Sequence, residues 1–131
     1  MRLLLDTHAL IWFVEGDKRL SYIARTFIED PDNTVYVSMT SFFELAIKLK
    51  IDKLTLSKSI KQIYERLTVD NIRILSISEN HVFEYQNVPF FTEHKDPFDR
   101  IIIATAIYEK LDIITIDEKF ERVYGNKDMT R

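Results

Sequence analysis

The 131-residue chain is predicted to form a single three-layer α/β/α domain around a central parallel sheet of four or five strands. Three observations predict this fold class. Short apolar, β-branched runs alternate with longer stretches of helical periodicity, the pattern of βαβ units. With only two glycines and three prolines, the chain lacks the turns of an all-β sandwich or barrel. Its length suits one domain, residues 1–131, and no linker, repeat or low-complexity segment divides it.

The elements follow in order. Leu3-Leu4-Leu5 is a continuous apolar triplet, as expected of a strand buried on both faces. Asp6 then opens a helix over Thr7–Glu15, closed by Gly16 in the position of a helix stop. A second helix spans Leu20–Asp30 and ends at Pro31. Thr34-Val35-Tyr36-Val37-Ser38 is β-branched and aromatic, hence the second strand. Thr40–Lys50 is a helix, and Ser57–Thr68 another, with Ile60, Ile63, Tyr64 and Leu67 at helical spacing. Ile72–Ile77 is the third strand, Ser78–Gln86 a helix and Pro89–Lys95 a loop. Pro97 at a first helical position starts the last helix, which runs to about Lys110. Asp112–Ile116 is the fourth strand, and it ends in Asp117.

Composition excludes several function classes. Hydrophobic residues at 46% and charged residues at 30% are a globular balance, which excludes whole-chain disorder. Cysteine is absent, so neither a disulfide scaffold nor a thiolate zinc site is available. Eighteen Lys and Arg against twenty-one Asp and Glu leave a net charge of −3, unlike a protein that grips nucleic acid by bulk charge alone. The longest apolar run, Ala9 to Val14, is far short of a membrane span of roughly 20 residues, and no signal peptide is visible. A cytoplasmic location with no membrane partner is the expectation.

In a parallel sheet the C-terminal ends of all strands share one edge, where ligand sites form. Asp6 and Asp117 each follow an apolar strand directly, Glu44 lies one turn into the helix after the second strand, and Asp99 lies in the first turn of the helix before the fourth. Four acids from four places thus converge on one edge. Clustered carboxylates repel one another, and a hard divalent cation such as Mg²⁺ supplies the compensating charge. One or two such ions can activate water for phosphodiester cleavage. Each acid also suits a plainer role. Ser41-Phe42-Phe43-Glu44 has capping-box spacing, Asp96-Pro97-Phe98-Asp99 reads as a helix start with Asp96 as N-cap, and Asp6 and Asp117 can cap the elements that follow them. Their joint placement favours the site.

The segments that carry these acids resemble a known family. Leu3-Leu4-Leu5-Asp6-Thr7-His8-Ala9-Leu10, Ser41-Phe42-Phe43-Glu44-Leu45-Ala46-Ile47-Lys48, Asp96-Pro97-Phe98-Asp99-Arg100-Ile101-Ile102-Ile103-Ala104 and Thr115-Ile116-Asp117 are similar to the signature segments of PIN-domain ribonucleases, and more narrowly of VapC-type toxins of bacterial toxin–antitoxin pairs. The resemblance covers residues 1 to about 120. It implies a PIN-like fold and an endoribonuclease dependent on Mg²⁺ or Mn²⁺, with Asp6, Glu44, Asp99 and Asp117 as catalytic and metal-binding residues. It further implies an RNA substrate, a small antitoxin protein as partner, and a homodimer. The family often ends in a further short strand, whereas little apolar sequence follows Tyr124 here.

Secondary features carry weaker signals. The hydroxyls of Thr7 and Thr115 can bond a site carboxylate or pack at strand ends. His8, His81 and His94 are too scattered to form a ligand set and suit surface or capping roles. Arg100 suits either a phosphate clamp or a surface ion pair. Residues 48–66 hold Lys48, Lys50, Lys53, Lys58, Lys61 and Arg66 against Asp52 and Glu65, either an RNA-facing strip or a solvated face. Ala9–Val14 is apolar right around its helix, and Trp12, Phe13, Phe42 and Phe43 are candidate anchors for a partner. The alternatives from other classes are a phosphoacceptor receiver-like signalling module and a catalytically silent PIN-like RNA-binding scaffold. A receiver normally has paired acids after its first strand, where Asp6 stands alone, and all four acids a silent scaffold would have lost are present.

Overall fold

A computed structural model describes residues 1–89 and 96–115 of the chain. The elements in order are β1 (Arg2–Leu5), α1 (Thr7–Glu15), α2 (Tyr22–Glu29), β2 (Thr34–Ser38), α3 (Met39–Lys50), α4 (Ile60–Val69), β3 (Arg73–Leu75), α5 (Glu79–Tyr85), α6 (Pro97–Glu109) and β4 (Asp112–Ile114). The four strands form one parallel sheet in the order β3-β2-β1-β4, with Leu3 opposite both Val35 and Asp112. Strand alternation divides the apolar triplet between two cores. Leu3 and Leu5 pack with Leu10, Ala24, Val37, Leu45, Ile63 and Leu67 under α1 to α4, while Leu4 packs with Ile102, Ile103 and Ile113 under α6. Both faces of β1 are thereby sealed, and its three leucines are fully buried. This is the three-layer architecture that the sequence predicts.

Serines set most helix starts, and they move several expected boundaries. Ser21, Ser59 and Ser78 cap α2, α4 and α5, each accepting a hydrogen bond from a backbone N–H three residues on. Consequently α2 begins at Tyr22 rather than Leu20. Helix α4 begins after Ser59 rather than at Ser57, whose N–H and hydroxyl instead bond the Glu15 carboxylate. Gly16 closes α1 in the left-handed region at φ 64°, as its position in the sequence predicts. The third strand shrinks from Ile72–Ile77 to Arg73–Leu75, because only Tyr36–Ser38 of β2 offers it a ladder. The fourth ends its pairing at Ile114.

The structure settles the place of three individual residues. His81 takes the capping role of the two the sequence offered, and it is buried; its Nδ1 accepts from the Ser78 N–H at 3.1 Å, and its Nε2 lies 2.7 Å from Glu109. Acceptance at Nδ1 leaves Nε2–H as the donor to that carboxylate. Arg100 is buried rather than on the surface; it donates to the Val88 and Pro89 carbonyls and lies over the Tyr85 ring. Phe42 is core, leaving Phe43 alone of that pair exposed. The apolar girdle of α1 is largely covered by the chain itself. Trp12 and Phe13 are half-buried against the core, with the Arg19 guanidinium 4.7 Å over Trp12 and that of Arg25 5.3 Å over Phe13. His94 and most of the Pro89–Lys95 loop lie outside the described residues.

His81 thus ties the start of α5 to the end of α6. His81→Ala should lower stability by about 2 kcal/mol, because the α5 start loses its reciprocal cap and a core-sized ring is removed. Urea unfolding monitored by circular dichroism checks this; an unchanged midpoint would mean the tie contributes nothing.

Candidate metal centre

The C-terminal edge of the sheet is knitted together by a small set of polar contacts. Asp6, directly after β1, is 2% exposed and has a partner on each carboxylate oxygen. Oδ1 accepts from the Ala9 N–H at 2.7 Å, which makes Asp6 the N-cap of α1, and Oδ2 accepts from the Thr115 hydroxyl just past β4. The Asp6 N–H continues the ladder to the Ile114 carbonyl at 3.1 Å. One residue on, the Thr7 and Ser41 hydroxyls lie 2.9 Å apart, linking the start of α1 to the first turn of α3. Of the two threonine hydroxyls weighed from the sequence, Thr115 holds a site carboxylate and Thr7 holds a neighbouring helix.

Glu44 does not cap its helix. Strand β2 runs straight into α3, so the cap falls on the last strand residue, Ser38, whose hydroxyl accepts from the Thr40 N–H at 3.0 Å. The Ser41–Glu44 capping box is therefore absent, and Glu44 sits in the second turn facing inward, 3% exposed. Its Oε2 pairs with Lys48 Nζ at 2.8 Å, whereas its buried Oε1 has no hydrogen-bond partner. Asp99 occupies the first turn of α6, half-buried, behind the expected cap: Asp96 Oδ1 accepts from the Phe98 N–H at 2.8 Å, and Pro97 takes the first helical position. Helices α3 and α6 meet beside these acids, where the Phe43 and Phe98 rings pack edge-to-face at 5.8 Å. Asp117 lies outside the described residues.

Asp6, Glu44 and Asp99 thus lie directly after β1, in the second turn of α3 and in the first turn of α6. Among the described residues no group of three or more Asp, Glu or His side chains is arranged to hold a metal ion. The donor chemistry nevertheless suits a hard cation, since every candidate ligand is a carboxylate oxygen. The orphaned Glu44 Oε1 fits as well, because a buried acceptor without a partner costs about 1–3 kcal/mol, which a cation at that oxygen would offset. Sequence reasoning placed Lys48 only in a basic strip. Its spacing from Glu44, four residues on along one helix, was the available signal of the pair. Within that strip Arg66 is likewise paired, with Asp70 at 2.9 Å, whereas Lys50, Lys53 and Lys61 are exposed.

Fold and site together define the class, a PIN-type domain: the PIN domain family model matches residues 3–126, and the chain belongs to that family. Its relatives sharpen the picture. The chain is 29% identical over 116 residues to Ribonuclease VapC22 of Mycobacterium tuberculosis, covering 88% of this chain and 87% of that protein. Its fold is similar to that of VapBC2 from Rickettsia felis, solved bound to a DNA fragment from its promoter, with a TM-score of 0.66, 22% identity and coverage of 94% and 93% of the two chains. A toxin–antitoxin complex from Klebsiella pneumoniae matches at 0.57, with 24% identity over 91% and 89% of the chains. FitAcB from Neisseria gonorrhoeae matches at 0.59, with 22% identity over 94% and 93%.

The two partners of Asp6 separate its capping role from its charge. Asp6→Ala should cost about 1 kcal/mol or more through the lost cap, whereas Asp6→Asn retains an acceptor for the Ala9 N–H and should stay closer to the parent. Denaturant unfolding of both variants without added metal checks this; equal loss in the two would show that the carboxylate charge, and not the cap, sets the stability.

Proposed function

We propose that this chain is a VapC-type toxin, an endoribonuclease dependent on Mg²⁺ or Mn²⁺ that cleaves RNA phosphodiester bonds at a site formed by Asp6, Glu44, Asp99 and Asp117. The observation that carries the reading is Glu44 Oε1, a buried carboxylate oxygen without a partner at the strand edge that also presents Asp6. Membership of the PIN domain family supports a nuclease and removes the receiver-like alternative. A relative named as a ribonuclease argues against a silent scaffold.

In this reading the four carboxylates would hold the cation. The chemistry such an ion supplies is a lowered pKa for a bound water and neutralisation of charge on the leaving oxygen. Asp6 is held rigid by the Ala9 N–H and the Thr115 hydroxyl, so its remaining lone pairs keep a fixed direction. Glu44 would contribute Oε1, and Asp99 would approach from the first turn of α6. The exposed Lys50, Lys53 and Lys61 are placed to draw in an RNA backbone despite the net charge of −3.

A free ribonuclease in the cytoplasm would halt growth, so the same reading requires a restraining antitoxin. A solved toxin–antitoxin complex of this fold supports such a partner. Large apolar side chains remain exposed on α2 (Tyr22, Ile23), on and just after α3 (Phe43, Ile51) and on α5 (Val82, Phe83), enough for an antitoxin segment and a second copy of the chain. No helix among the described residues is long and apolar enough to cross a membrane.

Asp6→Asn, Asp99→Asn and Asp117→Asn should each lower RNA cleavage by roughly a hundredfold or more, since even groups supporting a metal ligand are worth 10–100-fold. Chelation should abolish cleavage by the parent, and Mg²⁺ or Mn²⁺ should restore it. Wild-type rates from purified Asp6→Asn would overturn the site. Induced expression of the parent, but not of Asp6→Asn, should arrest bacterial growth, and the product of an adjacent small reading frame should co-purify and relieve the arrest. Unimpaired growth with no co-purifying protein would remove the toxin assignment while leaving the nuclease standing.

A further inference from the structure

Lys48 lies one turn beyond Glu44 on α3, with acid before base, the favoured order for an i,i+4 helical pair. The pair is lopsided. The Glu44 side chain is 4% exposed and that of Lys48 is 35% exposed, so the lysine reaches in from solvent to a carboxylate that solvent hardly touches. It satisfies only one oxygen, and Oε1 stays buried without a partner. The ammonium also has somewhere else to go. It borders an open hollow of about 480 Å³ between the second half of α3 and the start of α6, rimmed by Glu44, Lys48, Lys53, Asp96 and Phe98.

Resting on the metal-dependent reading above, we infer that Lys48 is a built-in stand-in for the cation at Glu44. In the metal-free protein its ammonium supplies the positive charge that a buried carboxylate needs. A cation arriving at Oε1 brings like charge beside that ammonium, weakens the Glu44–Lys48 pair and drives the lysine outward into the hollow. There its charge faces the phosphates of the substrate. Lys48 is a positioning residue that makes metal loading a competition: it protects the empty site from collapse and raises the metal concentration needed to fill it.

The inference fixes two signs together. Lys48→Met should lower the melting temperature of the metal-free chain, because Glu44 is left buried with neither oxygen paired. The same variant should bind Mn²⁺ about tenfold more tightly than the parent, since one repelling unit charge a few ångströms from a divalent ion has been removed. Lys48→Arg, which keeps the charge, should return both values toward the parent. The measurements are thermal melts of the purified full-length chain against Mn²⁺ concentration, with isothermal titration of Mn²⁺ alone. Should Lys48→Met fold only when Mn²⁺ is present, the comparison of parent and Lys48→Gln carries the test with the same signs. Mn²⁺ affinity unchanged or weakened on loss of the lysine, in a parent that binds Mn²⁺, overturns the inference and leaves the metal site standing. No binding by either parent or variant overturns both. Binding by the variant alone supports the inference in its strongest form.

Discussion

The carboxylate of Asp6 has to serve two elements at once. Its Oδ1 ends the first turn of α1 by accepting the Ala9 N–H, and its Oδ2 draws in Thr115 from the far side of β1. Both bonds are possible because β1 stands between β2 and β4 and is sealed on both faces, so the residue after Leu5 is the first point where the chain can turn. A carboxylate at this spot meets the positive end of a helix dipole and a buried hydroxyl. The same two bonds fix where it points.

The other candidate acids inherit their positions from that junction. Thr7, next in sequence, meets Ser41 and sets α3 against α1, which turns Glu44 inward one turn later. Helix α3 in turn meets α6 through the Phe43–Phe98 contact, one residue before each of Glu44 and Asp99. Buried Arg100 then anchors the start of α6 by donating to the carbonyls of Val88 and Pro89. Residues beside Glu44 and Asp99 thus carry part of the structural load, while Asp6 carries its own as the cap of α1.

This division of labour explains what the sequence revealed and what it concealed. Strand and helix identities were legible because an apolar triplet ending in Asp6, a β-branched run at Thr34–Ser38 and a Pro97 start are local signals with one sensible reading each. The expectation of a carboxylate edge came from parallel topology alone, and among the described residues no group of three acids is arranged to hold a metal ion. The cap of α3 was not legible because Ser41-Phe42-Phe43-Glu44 and Ser38 offer the same local chemistry, and only the point where β2 stops pairing decides between them. The burial of Arg100 and of His81 was concealed for a related reason. Their partners, Val88, Pro89 and Glu109, lie 11 to 28 residues away, beyond any helical or strand period. Asp117, legible as the residue after the fourth apolar run, lies outside the described residues and stays a proposal.

Charge placement separates Glu44 from the other paired acids. Among the described ion pairs, Asp17, Asp70 and Glu109 each keep a quarter or more of their side chain in solvent. Pairs of this kind contribute little to stability, and their geometry follows convenience: Arg19 beside Asp17 lowers the pKa of that carboxyl chiefly by a side-chain hydrogen bond while its guanidinium covers Trp12. Glu44 gives up nearly all its solvent for one ammonium and leaves an oxygen unmet. An apolar residue at this position would avoid that desolvation cost, as replacements of buried ion pairs often do. Stability alone therefore gives little reason to keep a carboxylate here. Under the proposed function the reason is a hard cation, since a buried anionic oxygen without a partner is the kind of donor such an ion takes.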